Sequence, residues 1–237
     1  MALGRTLPES AHGAALFADV SGFTPLTEAL TRALGLRRGA EELPRHLNKV
    51  YDALIAEVDR YGGSVIGFAG DAMTCWFADD ELQDLGLHAV RAEVGPLRAT
   101  ACALAMQQAM QQFAAVPVPG QKPVPLAIKV ALASGPARRF LVGDPKIQLI
   151  PTLAGETLVR MAAAEHLAGR GEIVVDGQTA AALAECAEIV EWRGTQEAEA
   201  GPAVDGFAVL GELRRDVAPT PWPMLDRDGL GEAQVRS

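Results

Sequence analysis

The chain has 237 residues, enough to bury one sizeable core, with 49% apolar residues, a net charge of −9 and a pI near 5.0. That acidity argues against a nucleic-acid backbone partner, which wants a basic stripe, and a phosphate-bearing partner would need metal ions to offset like charge. Cys75, Cys102 and Cys186 are widely spaced in apolar contexts and read as reduced core thiols of a cytoplasmic protein, and no secretory signal or membrane-spanning run is visible.

Residues 1–12 read as a lead-in. Ala14, Ala15, Leu16 and Phe17 form an apolar strand that ends on a carboxylate, Asp19. A glycine-containing turn follows, and Thr24-Pro25 opens a helix to Leu34, with Thr24 as cap and Pro25 in the first helical position. The unpaired N–H groups of that helix start lie beside an acid, which suits a phosphate joined to the acid by a divalent cation. After an interruption around Gly35–Gly39, a second helix runs from Ala40 to Tyr61. Leu43, Leu47, Val50, Leu54, Ile55 and Val58 recur at helical spacing, and Gly62-Gly63 ends it. His46 and Lys49 read as its polar face. Ser64–Ala69 and Ala72–Phe77 flank Gly70-Asp71 and read as a tight hairpin with Asp71 at the tip. If the hairpin lies beside the first strand, Asp71 approaches Asp19 and two carboxylates can hold two metals.

The acidic run Asp79-Asp80-Glu81 with Asp84 reads as a solvated loop. Leu87–Phe113 is helical, with a break at Gly95-Pro96, and its Met106 and Met110 read as packing residues. Beyond the Pro-rich stretch Val116–Pro125, a strand over Leu126–Ala133 is ended by Ser134-Gly135-Pro136, and Arg138-Arg139 is a solvated basic pair. Lys146–Ile150 reads as a short strand, Gly155–Leu167 as a helix, Glu172–Val175 as a strand and Gln178–Leu183 as a helix. Ile189–Trp192 and Phe207–Leu210 close the sheet. Alternation without a long series of βαβ repeats predicts an α+β fold, a mixed sheet with helices packed on it. Residues 213–237 form a Pro- and Gly-rich tail or linker.

FADVSGFT at residues 17–24, FAGDAM at 68–73 and GEIVV at 171–175 together resemble the class III nucleotidyl cyclase catalytic domain, in the phrasing of the soluble, bicarbonate-responsive adenylyl cyclases and their bacterial relatives. The resemblance covers nearly the whole chain, as one domain over residues 13–212. It implies the nucleotide cyclase fold, a mixed sheet related to the ferredoxin-like and polymerase-palm arrangements. It also implies conversion of a nucleoside triphosphate, ATP foremost, to the 3′,5′-cyclic nucleotide and pyrophosphate. In that reaction the ribose 3′ hydroxyl attacks the α-phosphate, assisted by two Mg²⁺ or Mn²⁺ ions. The resemblance assigns Asp19 and Asp71 to the metals, with the backbone carbonyl of Val20 completing one site. It assigns the backbone N–H groups of Ser21, Gly22, Phe23 and Thr24 to phosphate.

The rest of the family's active site is not matched. Gly67 stands where the family has a base-recognising Lys, Val159 where it has a ribose-orienting Asn, and Ala163 where it has an Arg that steadies the transferring phosphate. Thr152 falls at the second base-contact position. Losing one such donor lowers rate by about 10²–10³-fold. Arg160, one residue past the Asn position, is not assigned as a substitute. The family builds its site at a dimer interface, metals from one half and base, ribose and transition-state groups from the other. The chain is therefore read as the metal-bearing half, needing a complementary cyclase domain. Two alternatives stay open: a catalytically silent nucleotide- or anion-binding regulatory or dimerisation module, and an autonomous homodimeric cyclase with a different base recognition.

Overall fold

The computed structural model describes residues 10–79, 94–194 and 206–222. Strand β1 (Ala11–Ser21) leads into helices α1 (Phe23–Leu34) and α2 (Leu36–Arg60), then the hairpin β2 (Ser64–Ala69) and β3 (Ala72–Ala78). Helix α3 (Val94–Met110) and β4 (Ala127–Val142) follow, then β5 (Ile150–Ala154), α4 (Glu156–Leu167), β6 (Ile173–Asp176), α5 (Gly177–Ala182), β7 (Ala187–Arg193) and β8 (Phe207–Leu213).

The strands among the described residues form one mixed sheet, ordered β2-β3-β1-β4-β6-β8-β7, with β5 paired to β4 off that path. Its first half, β4-β1-β3-β2, is antiparallel throughout, and its helical crossovers come between β1 and β2 and between β3 and β4. That is the ferredoxin-like arrangement expected from the sequence. β6 adds to β4 in parallel, and β8 and β7 continue antiparallel.

Period-two alternation in β1 decides which helices cover which face. Ala14, Leu16, Ala18 and Val20 have no exposed surface and meet α1, α2 and α3 through residues such as Leu26, Leu54 and Met106. Ala15 and Phe17 point the other way, where Ala131, Ala133 and Trp76 pack against Met161 and Ala164 of α4. Alanines on that second face let α4 lie close to the strands. Asp19 follows Phe17 on the same face, at the edge of what α4 covers. Among the described residues, no helix is long and apolar enough to cross a membrane.

Several local expectations change. Helix α1 starts at Phe23 with Gly22 as its cap, at φ 107° and with no side-chain capping bond, so Thr24 and Pro25 lie in the first turn and Thr24 is not the cap. A Cβ on Gly22 would stand 2.6 Å from the Pro125 carbonyl oxygen, so close approach of the backbone puts glycine there. The interruption between α1 and α2 shrinks to Gly35. Gly39 lies inside α2, where a Cβ would come within 3.0 Å of the Thr31 backbone, so it is a helix–helix contact point. Pro44 also sits inside α2, whose buried Val50, Leu54 and Val58 hold it to the sheet.

Among the described residues, Gly95 and Pro96 lie at the start of α3, and the helix expected before them falls outside the described residues. The Gly95 N–H donates to Asp79 Oδ1 at 2.9 Å, so this acid caps a helix. Asp80, Glu81, Asp84 and the expected helical residues 87–93 lie outside the described residues. β4 does not stop at Ser134-Gly135-Pro136 but continues to Val142. Its parallel partner β6 reaches only Val130–Leu132, so the missing proline N–H disturbs no ladder on that edge. The expected strand at Lys146–Ile150 begins only at Ile150. Arg138 is exposed as expected, whereas Arg139 is buried because strand alternation turns it inward. After β8, the chain to Trp222 packs on the α2–β2 corner. There Trp222 Nε1 donates to the Gly63 carbonyl at 2.6 Å and the Thr220 N–H to that of Arg60 at 2.9 Å.

Candidate active site

Cross-strand register brings the two acids to one corner. Asp19 lies opposite Ala72 of β3, so Asp71, one residue earlier in the hairpin turn, stands beside the end of β1. The Val20 N–H donates to the Asp71 carbonyl at 3.1 Å and ties the turn to the strand. Gly70, at φ 64°, supplies the left-handed conformation that the turn requires. Asp71 is exposed and the Asp19 side chain is one-quarter exposed.

Tyr51 of α2 borders the same corner. Its hydroxyl donates to the Gly70 carbonyl at 3.1 Å, and its ring meets Phe68 edge-on with centroids 5.0 Å apart. The Tyr51 phenol is pushed up by burial and then by the negative charges of Asp71 and Asp19, so both carboxylates act on one point. Lys129, opposite Asp19 on β4, places Nζ 3.4 Å from Asp19 Oδ2 and 2.5 Å from Glu165 Oε1 of α4. The Glu165 hydrogen bond is the main cause of a raised Lys129 pKa, opposed by burial and assisted by Asp19.

The donor set fits a hard divalent cation. Two carboxylates beside open solvent leave room for the waters that Mg²⁺ retains, and oxygen ligands suit Mg²⁺ and Mn²⁺. Among the described residues, no group of three or more His, Cys, Asp or Glu is arranged to hold a metal by itself, so phosphate oxygens or waters would have to complete the shell. The start of α1 follows β1 directly, four residues after Asp19. Phe23 and Thr24 are its first residues, whose N–H groups have no acceptor within the helix, and its first turn carries no acid. Ser21 still belongs to β1, opposite Ala127, and its hydroxyl donates to the Ala127 carbonyl at 3.3 Å.

The other residues singled out from the sequence lie elsewhere. Thr152 is on β5 opposite Phe140, and its hydroxyl donates to the Ile150 carbonyl at 3.4 Å. Phe140 is eleven residues further along β4 than Lys129, a strand path of roughly 36 Å. Asp19 and Thr152 thus flank opposite ends of β4. Val159 is 60% exposed on α4, and Ala163 is half-buried one turn later. Gly67 sits on β2 opposite Thr74, and a Cβ there would meet nothing within 4 Å. Packing therefore does not demand glycine at 67. Arg160 serves the fold: it donates to Asp176 Oδ2 at 2.6 Å, the Ser134 carbonyl at 2.7 Å and Gln178 Oε1 at 3.0 Å.

Sequence reasoning missed Tyr51, Lys129 and Glu165. Lys129 left a trace, a lone charge within the apolar stretch Leu126–Ala133. A charge in a buried strand needs a partner. Tyr51 and Glu165 lie on polar helix faces and left no such trace.

No family model matches the chain. Solved structures do. The adenylyl cyclase CyaB from P. aeruginosa superposes with a TM-score of 0.68 over 88% of this chain and 98% of that one, at 21% identity. The guanylate cyclase domain of RhGC from Catenaria anguillulae, in complex with GTP, gives 0.62 over 87% and 98%, at 19% identity. The chain therefore has the fold of the class III adenylyl and guanylyl cyclase catalytic domains. Within it, 61 residues, 26% of the chain, are 43% identical to adenylate cyclase type 10 of Rattus norvegicus, and equally to that of Homo sapiens. That stretch spans 4% of those curated relatives.

Proposed function

We propose that this chain is the metal-bearing half of a class III nucleotidyl cyclase, forming a 3′,5′-cyclic nucleotide from a nucleoside triphosphate, ATP foremost, together with a complementary cyclase domain. The observation that carries this reading is the docking of the Asp71 turn onto β1 beside Asp19, next to the acid-free start of α1. Asp19, Asp71 and the Val20 carbonyl would hold two Mg²⁺ or Mn²⁺ ions. Such ions, when bound, lower the pKa of the ribose 3′ hydroxyl and offset charge on the phosphates. The chain's own contribution is positioning. The β1–β3 register fixes the spacing of the acids, and the Phe23 and Thr24 N–H groups orient phosphate oxygens toward them.

Gly67, Val159 and Ala163, which stand where a complete site would use a base-recognising Lys, an Asn and an Arg, support the need for a second domain that supplies those groups. The hairpin of β4 and β5 supports it too, since Phe140, Val142 and Ile150 remain 41–51% exposed there. The test is product formation by the purified chain, alone and with a complementary cyclase domain, in Mg²⁺ or Mn²⁺. Turnover only in the mixture, lost in Asp19→Ala, is the expected result. Turnover by the chain alone, comparable with an intact cyclase, would refute the half-site reading in favour of the autonomous homodimer.

A second reading draws on Val159 and Ala163, apolar side chains at positions where a catalytic half would use donors. It makes the chain a silent module that binds nucleotide or anion and reports it to a partner. Nucleotide binding without metal, and no product even with the complementary domain, would favour it.

A further inference from the structure

The strongest unabsorbed feature is the Asp19–Lys129–Glu165 triad. Lys129 is the cross-strand partner of Asp19, which sets their Cβ atoms about 5 Å apart on one face of the sheet. Its ammonium lies between two carboxylates held by different elements, Asp19 on β1 and Glu165 in the last turn of α4. The two contacts are unequal: 2.5 Å to Glu165 Oε1 and 3.4 Å to Asp19 Oδ2. All three side chains are only 20–25% exposed, so the cluster is neither a free surface pair nor a dry core ion pair. The other oxygen of Glu165 lies 3.2 Å from Nδ1 of the exposed His166.

The geometry points to Lys129 as a positioning residue for the Asp19 carboxylate, an internal cation that shares Asp19 when no divalent ion is there and retreats onto Glu165 when one binds. This rests on the metal reading of Asp19 and deepens it by naming what the ion must displace. The longer contact is the one given up, and the shorter one survives. Glu165 is thus the parking position that keeps the ammonium from blocking the acid. With Glu165 neutralised, Asp19 is the only carboxylate left to Lys129, which becomes a stronger competitor. With Lys129 neutralised, the ion meets an unopposed Asp19 and gains the nearby charge of Glu165. The two variants therefore act in opposite directions, which loss of a structural contact would not do.

The experiment is Mn²⁺ binding to the full chain, by titration calorimetry and by the electron paramagnetic resonance of free Mn²⁺, with no nucleotide present. Lys129→Met should tighten binding about three- to ten-fold at 0.1 M salt, the size expected for removing one charge near a divalent ion in a solvated site. Glu165→Gln should weaken it by a similar factor, and Asp19→Asn should abolish it in every background. Thermal melts check the fold, and Lys129→Gln replaces the Met variant if that one does not fold. Binding that needs Asp19 but changes in the same direction, or not at all, in the Lys129 and Glu165 variants overturns the inference and leaves the metal reading intact. Binding indifferent to Asp19→Asn overturns both.

Discussion

The two ends of β4 carry different kinds of surface. At the start, opposite Asp19, charges are dense and engaged: Asp19, Lys129 and Glu165 share one cluster, with Asp71 tied to β1 and the start of α1 alongside. At the far end, in the hairpin with β5, the side chains are apolar and exposed: Phe140, Val142 and Ile150, with Val159 on α4 beyond them. On the proposed function, the first corner would meet cations and phosphate and the second another protein surface. On that reading the chain would supply one part of a composite site.

The largest effect should come from breaking the charged corner. Asp71→Ala should lower cyclic-nucleotide formation with a complementary domain by at least about 10²–10³-fold, as loss of a group that stabilises charge in the transition state does. The purified variant should melt within a few degrees of the parent, because Asp71 is exposed in a turn whose contact to β1 uses its backbone. A large drop in melting temperature would mean that the turn's conformation, not its carboxylate, was lost.

Next in size is Gly22→Ala. Its φ of 107° and the Pro125 carbonyl 2.6 Å from an added Cβ make it strained in both backbone and space, with an expected loss of roughly 2 kcal/mol in denaturant unfolding. An unchanged midpoint would show that α1 can start elsewhere.

The apolar corner is sharpened by Phe140→Asp with Ile150→Asp. Self-association or pairing with a cyclase domain should weaken at least tenfold by analytical ultracentrifugation. Stability should move by only about 0.5 kcal/mol, since both side chains are half exposed. Unchanged association would place the interface elsewhere.

The smallest effect is a pH dependence away from both corners. Glu172 is held below the ordinary carboxylate range, first by its hydrogen bonds from Arg193 and then by the Gly169 N–H, against the opposing effect of burial. A depressed folded pKa contributes stability that is complete above the unfolded value and is lost as pH falls through the folded one. Melting temperatures between pH 7 and pH 3 should therefore fall less steeply in Glu172→Gln than in the parent. Parallel curves would show that this partly exposed pair contributes nothing measurable.

Asp19, Asp71 and the hairpin between β2 and β3 were legible because each depends on local pattern: a carboxylate closing an apolar strand, and Gly-Asp between two strand-forming runs. The same locality explains the misses. Ser134-Gly135-Pro136 looks like a strand terminator, yet β4 runs through it because β1 supplies a partner as far as Ala137. Thr24-Pro25 looks like a helix start, yet α1 begins at Phe23 with Gly22 as its cap, a position where the Pro125 carbonyl from a distant loop leaves no room for a side chain.

By itself the sequence determined the two acids, the glycine turns beside them, the α+β class and the apolar stripes that bind helices to a sheet. These follow from side-chain period and turn chemistry over a few residues. Tertiary structure decided that Lys129 and Glu165 meet Asp19, that Tyr51 reaches the hairpin tip, that Arg160 is consumed by Asp176, and that Thr152 lies at the far end of β4 from Asp19. Each depends on register between strands distant in sequence or on where a helix crosses the sheet, and a one-residue slip in register would turn Lys129 to the opposite face.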